Sequence, residues 1–546
     1  MNTQHKLKDL PTILYKYLKL FALISGFVAL GLILYFIIFV SKGFYHADCA
    51  DTILWAQAMV DGKSIINPDF HYAAILPFGG QLIMAPFVAI FGYGMLAQII
   101  GMTIFALLLT FAIVYFCKSI DFNCRWISLT VAFMLLIFSS SEKLREIFWC
   151  HIIYYSLGAL FLLIGLGLVF NLLKRETLSK KHYILLFIWS SLCSINGSQS
   201  FTLYTLPVIG ALFAERFFDL NTPLLSNKNK REWLIILNLA TSIVVGLILA
   251  KIINQGITSD YQNLYSLFDG PDFWTQNISD LLPAILSLCG ATPANRTTLF
   301  SAQGILLLIR IIGILIIVIT PFVMLALYKK ITSKIYRITI FTHLLLTSFI
   351  LLAWIFGKLN NNEWRLSPIL TTSSLLTFMF IKWILSQEKY SRLAACLIIP
   401  TVFLIISFMS DISCTFFDNQ TEHNKKYVAV GEYLENEGLE YGYATFWNSN
   451  IITLLTDSKI KTVGVHLKLN NLYTSDYQTN INWYKDNSYS TYFLLLTNDE
   501  YSSYQKSVEY EEPQEIKYYL DYTILIYDYN IMSSKTYFPT GVIGFK

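Results

Sequence analysis

Eleven windows of this chain are long and apolar enough to cross a bilayer, and that limits the fold before any motif is read. They fall near residues 21–41, 95–117, 126–141, 152–173, 183–197, 201–218, 233–253, 305–328, 338–357, 367–385 and 393–410. A hydrocarbon core about 30 Å thick takes roughly 20 apolar residues of helix, since no backbone N–H or C=O can stay unpaired there. Ser, Asn and Gly interrupt the third, fifth and sixth windows. Only 14% of the residues are charged, against about 25% in soluble domains. The class is a polytopic α-helical membrane protein with about eleven transmembrane helices.

Short loops set the orientation, because cations stay on the cytoplasmic side. With the N-terminus inside, the inner loops carry Lys118 and Arg125; Lys174, Arg175, Lys180 and Lys181; Arg216, Lys228, Lys230 and Arg231; Lys329, Lys330, Lys334 and Arg337; and Lys389 and Arg392. The outer loops hold only scattered cations such as Lys63, Lys143, Arg145, Arg296 and Arg365. The first window follows Lys6, Lys8, Lys16 and Lys19, is longer than a signal h-region, and lacks an A-x-A site, so it reads as a retained anchor. An odd span count then puts the C-terminal segment outside the cell membrane, beside the stretch 42–92. The expected division is a transmembrane domain over 1–410, with outer loops 42–92 and 254–304, and a soluble extracytoplasmic α/β domain over 411–546.

In that tail, helical signals over 424–437 stop at Gly438, and an alternating strand covers 441–447. A short helix follows at 449–457, then strands near 460–467, 491–496 and 518–527, with a helix at 499–508. Alternating strands and helices favour a helix-covered sheet. No glycine-rich phosphate loop opens these helices, which argues against a nucleotide site. A net charge of +4 is too small for a polyanion-binding face, so no nucleic-acid partner is expected. The eight cysteines include no CxxC and none beyond Cys414, which argues against a zinc ribbon, a thioredoxin-type motif or a disulfide scaffold.

The chemistry concentrates just after the first span. Asp48 and Asp51 stand at the membrane edge, followed by an amphipathic run and a Pro77-Phe78-Gly79-Gly80 turn. The plain reading is helix capping, for which one aspartate would be enough. The functional reading is a carboxylate that takes a proton from an acceptor hydroxyl or orients a phosphate-bearing donor. D-x-x-D is not a ligand spacing by itself, which leaves a divalent metal open and no cofactor certain. The turn Ser141–His151 is dense in charge: Lys143 and Arg145 could meet a phosphate, while Glu142 and Glu146 could line the site or hold these cations in a self-paired turn. His151 reads as a packing residue. Asp69 and His71 could line an acceptor entrance, although Asn67-Pro68-Asp69 is also strong turn chemistry. The Asp and Trp residues of 254–304 could meet sugars, and Asn277-Ile278-Ser279 matches a glycosylation sequon.

This layout resembles the GT-C superfamily of integral-membrane glycosyltransferases, such as protein mannosyltransferases and aminoarabinose transferases. The shared features are one span, a large outer loop with an early Asp, and an amphipathic run ending in Pro-Phe-Gly-Gly. Trp364-Arg365-Leu366-Ser367-Pro368 is similar to an Arg-Tyr-x-x-Pro pattern of that family, with Leu366 in place of the Tyr. The resemblance implies a sugar on a polyprenyl phosphate as donor, an inverting displacement, and Asp48, or failing that Asp51, as general base. It implies phosphate binding by Arg365, a role suited to a guanidinium fork; an interfacial snorkelling arginine is the plainer alternative. The acceptor would be a cell-envelope glycan, lipid or protein. The rival is a transporter or flippase for a lipid-linked or small polar solute, but neither inverted repeats nor mid-span charges are visible. A catalytically dead scaffold is the third reading.

Overall fold

The computed structural model describes residues 12–175, 180–218, 230–257, 259, 262–263, 267–293, 297–359, 362–387, 398, 401–402, 404–405 and 424–537. Among these, eight helices are long and apolar enough to cross a membrane: Lys19–Phe44, Met95–Ser119, Tyr154–Lys174, Ser198–Phe218, Lys230–Asn254, Ala302–Ala326, Lys334–Phe356 and Glu363–Leu385. A ninth is reached if Cys124–Ile137 and Glu142–Cys150, which meet at a bend of 112°, form one broken span. The sequence suggested about eleven. The window at 183–197 is a helix of only 15 residues, Lys180–Ser194, about 22 Å at 1.5 Å per residue and short for a bilayer. The window at 393–410 lies mostly outside the described residues, as do Asp260 and Arg296.

Large apolar side chains on the spans face outwards, among them Phe27, Phe39, Phe111, Leu237 and Ile252. Such faces suit lipid contact. Between helices, small residues allow close approach. The Gly26 N–H donates to Ser128 Oγ at 2.9 Å, joining the first span to Cys124–Ile137.

The tail builds a six-stranded sheet from β2 (Tyr441–Thr445), β3 (Lys461–Lys468), β4 (Asn471–Thr474), β6 (Tyr492–Thr497), β7 (Glu515–Tyr519) and β8 (Tyr522–Tyr527), in the order β4-β3-β2-β6-β8-β7. Strand β2 runs parallel to β3 and β6, and the other pairs are antiparallel. The expected strand at 518–527 is in fact a hairpin, turning at Leu520 with φ 52°. Both faces of the sheet are apolar. Ala444, Phe493 and Leu495 join a core with helices Lys425–Asn436 and Asn450–Leu455, whereas Tyr443, Val463 and Leu494 form a second core. That is the burial expected of central strands.

The sheet is anchored to the membrane part through 42–92. Strand β1 (Phe70–His71) pairs antiparallel with β5 (Thr479–Asn480) across more than four hundred residues of chain. Asp457 Oδ1 accepts from the Met95 N–H at 2.7 Å and so caps the span Met95–Ser119. Ser458 donates to the Tyr93 carbonyl at 2.6 Å. Loop 254–304 reaches the same end, with Ser259 donating to the Ala73 carbonyl at 2.9 Å.

Candidate active site

Asp48 lies in the one-turn 3-10 helix Ala47–Ala50, which runs directly into helix Asp51–Gly62. Ala50 takes the N-cap position of that helix without a side-chain bond, so neither aspartate is spent on capping it. Polar clamps hold this corner. Gln98 Nε2 donates to the Cys150 carbonyl at 2.6 Å and the Cys49 carbonyl at 3.3 Å, fixing both walls to one span. Thr52 accepts from the Ile152 N–H at 2.8 Å, and His151 Nδ1 meets the Asp48 carbonyl at 2.9 Å. Below them, Asn196 bonds both the N–H and the carbonyl of Phe78. Gly80 in that turn is required, because a Cβ there would sit 2.4 Å from Ile152.

These walls enclose a cleft of about 80 Å³ lined by Asp48, Asp51, Trp55, Glu146, His151, Tyr154, Trp364 and Tyr477. Asp48 keeps 34% of its side chain exposed, whereas Asp51 is 8% exposed. Burial raises both carboxyl pKa values, and the neighbouring Asp48 charge raises that of Asp51 further. Burial therefore favours the neutral form more strongly at the deeper Asp51 than at Asp48, which is the more exposed of the two. Asp48 also faces the charges of His46 and Lys143, which favour its anion. Glu146 forms ion pairs with Lys143 Nζ at 2.5 Å and His46 Nε2 at 3.2 Å. Burial lowers the His151 pKa, and its Nε2 is buried with no hydrogen-bond partner in the structure. With Nδ1–H donating to the Asp48 carbonyl, that Nε2 is left as an acceptor.

A second, mainly apolar cavity of about 160 Å³ adjoins the first, since Tyr154 lines both. Its wall comes from Tyr155, Leu203, Phe349, Ile350 and Ala353 on the spans, and from Arg365. Arg365 is 3% exposed. Its neighbour Trp364 lines the acid cleft and lies under Lys143 Nζ at 4.6 Å. The 3-10 turn Glu363–Leu366 at the head of the last described span thus supplies one residue to each cavity.

The candidates from the sequence separate into two sets. Asp48, Asp51, Glu146 and Lys143 gather at the cleft, and Arg365 stands at its apolar neighbour. Arg145 is buried and donates to the Ser139 carbonyl at 2.9 Å, bracing the bend. Glu142 is exposed on the turn. Asp69 and His71 meet the tail instead of the cleft: Asp69 accepts from Asn482 at 3.0 Å and His71 Nε2 lies 2.9 Å from the Tyr537 hydroxyl. In loop 254–304, Trp274 donates to the Asp269 carbonyl and packs edge-on to Phe356. The sequon Asn277 is fully buried, donating to the Ile355 carbonyl, which closes it to glycan attachment. His46, Gln98, Tyr154, Tyr477 and Gln478 went unnoticed in the sequence. Gln478 accepts from Trp55 at 2.8 Å and comes from the tail. The Asp-x-x-Asp pattern, the charge-dense turn Ser141–His151 and the Trp-Arg pattern carried a local signal. Among the described residues, no group of three or more His, Cys, Asp or Glu side chains converges as a metal site.

No family model matches the chain, and no curated protein matches it in sequence. Solved structures do resemble it. The crystal structure of ArnT from Cupriavidus metallidurans bound to undecaprenyl phosphate aligns with a TM-score of 0.52 at 10% identity, covering 94% of this chain and 98% of that one. The apo form of the same protein aligns at 0.43, again with 10% identity, over 93% and 98%. The oligosaccharyltransferase of Archaeoglobus fulgidus, in complex with Zn and sulfate, aligns at 0.40 with 12% identity over 81% and 62%. The first of these carries the comparison, and at 10% identity it speaks for the fold.

Proposed function

Starting from the GT-C fold that this chain shares with ArnT, we propose that it is a membrane glycosyltransferase working at the end of the bundle where the sheet domain sits, taken as the outer face of the cell membrane. The donor is a sugar on a polyprenyl phosphate, and the acceptor is a hydroxyl of a cell-envelope glycan, lipid or protein. The observation that carries this reading is the junction at Tyr154. There a polar cleft with an ionisable Asp48 opens beside an apolar cavity headed by the buried Arg365. A lipid-linked phosphate needs such a pair of environments, one for its prenyl chain and one for its sugar.

In this mechanism the prenyl chain lies between the spans, and Arg365 holds the phosphate by charge-assisted hydrogen bonds. Lys143, on the Trp364 ring, supplies a second positive charge. Asp48 takes the proton from the acceptor hydroxyl as its oxygen bonds to the anomeric carbon. The bond from that carbon to the phosphate oxygen breaks, and polyprenyl phosphate leaves with the electron pair. One displacement inverts the anomeric centre. Asp51, where burial favours the neutral acid, stands beside Asp48 in the cleft, and His151 holds the Asp48 backbone through its carbonyl. Arg145 shapes the bend in this reading. The residues present do not suit a resident divalent ion, which takes six or more oxygens or octahedral geometry: Glu146 is already paired with Lys143 and His46, and burial favours the neutral form of Asp51. Excess chelator should therefore leave the rate unchanged.

The test is sugar transfer by purified protein in lipid vesicles, from a panel of polyprenyl-phosphate sugars. Wild type should release or transfer sugar from one donor, and Asp48→Asn should stop it while the protein stays folded. If no donor is consumed, or if Asp48→Asn matches wild type, the transferase reading fails, and movement of the lipid-linked sugar across the bilayer becomes the assay.

A further inference from the structure

Helix Asp51–Gly62 borders a second cavity on another of its faces. Asp51 and Trp55 face the acid cleft, whereas Leu54, Gln57 and Asp61 line a groove of about 490 Å³ between this helix and the sheet domain. The volume falls within the range of small-molecule sites, roughly 300–1,000 Å³. Across the groove stand the half-buried Trp483 and Tyr489. Tyr489 stacks on Tyr441 at 4.6 Å, which stiffens this wall. Lys461 leaves β3 beneath them, with Nζ 4.9 Å from the centre of the Trp483 ring and 5.3 Å from that of Tyr441. The rim is polar: Gln57 Nε2 donates to Asp61 Oδ1 at 2.7 Å, and Glu440 faces them.

This lining combines flat aromatic rings with amide, carboxylate and ammonium groups spaced around them. A pyranose ring has the matching duality, with an apolar C–H face and an equatorial rim of hydroxyls. Acidic and basic residues are balanced at the groove, so neither a polyanion nor a polycation is favoured, and its polar rim does not suit a lipid chain. We propose that the groove binds an oligosaccharide, with one sugar ring on the Trp483–Tyr489 wall and its hydroxyls bonded by Gln57, Asp61, Glu440 and Lys461. This deepens the transferase reading and rests on it for its purpose, which is to hold the acceptor glycan near the cleft. The binding itself needs no donor and no reaction.

The experiment is retention of the full-length purified protein on an array of bacterial surface-polysaccharide fragments. Wild type should hold a subset of glycans, and Trp483→Ala should weaken that retention by about tenfold, the scale of one aromatic contact. Trp483 also packs edge-on to Phe70 at 6.1 Å, so Asp61→Ala, an exposed rim change, provides a second variant with an expected loss of about fivefold. The proposal is overturned if wild type holds no glycan, or if folded Trp483→Ala and Asp61→Ala both bind like wild type. Failure of the transferase reading looks different: glycan retention persists while no polyprenyl-linked sugar is consumed.

Discussion

Asp48 and Asp51 at the mouth of the helical bundle and Asp476 and Asp486 on the sheet domain are the same residue held in opposite ways. Burial pushes the first pair's pKa values up. Hydrogen bonds pull the second pair down, from His466 at 3.2 Å to Asp476 and from Ser488 at 2.6 Å to Asp486. The tail's carboxylates are placed where ionisation favours the fold. Those of the cleft sit where ionisation costs stability, which proteins tolerate mainly at functional sites. The comparison separates the carboxylates we propose for chemistry from those whose ionisation supports the sheet domain.

The strongest way to break it is Asp48→Asn. A lost general base costs about 10²–10⁴-fold in rate, so turnover of the lipid-linked donor should fall by that much, whereas Asp476→Asn should leave it near wild type. If both variants lose activity alike, the two regions are not distinct in function. Arg365→Ala comes next. A hydrogen bond to a charged group contributes about 1.5–3 kcal/mol, so kcat/KM should fall about 10–100-fold, with Arg365→Lys partly restoring it because the charge survives without the fork.

The pH dependence sharpens the same contrast through its sign. The folded-state pKa of Asp51 lies above the unfolded value of about 3.9. Folding therefore takes up a proton, and stability declines as pH rises above about 4 towards the folded pKa. Asp51→Asn removes that decline, so its thermal midpoint should exceed wild type at pH 7 and converge with it at pH 4. Asp476 has the reverse linkage. Its stability is present above the unfolded pKa and is lost as pH falls through the lowered folded one. Asp476→Asn should thus melt below wild type at pH 7 and match it in acid. Melting curves in detergent at both pH values check the two slopes, and parallel slopes would refute the distinction.

Much of this was readable in the sequence because each part has a local period or pattern. Apolar runs marked the spans, alternation marked β2, β3 and β6, and Asp48, Asp51 and Arg365 stood beside span ends. What was not readable depends on long-range pairing. The β1–β5 ribbon is two residues per strand, too short for any periodicity, and it claims Asp69 and His71 for docking. Gln98 and Gln478 act through carbonyls and an indole far away in the chain, so nothing near them in sequence hints at their work. The sequon failed because Asn277 is paired to the backbone of Ile355, a contact no three-residue pattern contains.

The smallest expected effect tests how the two regions are joined. Asp457 caps a membrane-spanning helix from the sheet domain, a contact in which the partners lie 362 residues apart. Asp457 and Ser458 both adopt left-handed backbone, with φ 51° and 62°, in the turn that closes helix Asn450–Leu455, where their N–H groups bond the Leu454 and Thr453 carbonyls. A side-chain cap contributes about 1 kcal/mol, and its negative charge suits the positive end of the helix dipole. Asp457→Ala should therefore quicken hydrogen exchange at Met95 and its neighbours by about fivefold while leaving exchange in β6 and β8 unchanged. Gly94→Ala should act similarly, since its new Cβ would lie 2.6 Å from Asp457 Oδ1. Because both changes remove one contact, the double variant should lose little more than either single one. A fully additive loss would mean that the sheet domain and the span are stabilised independently, and that the cap does not couple them.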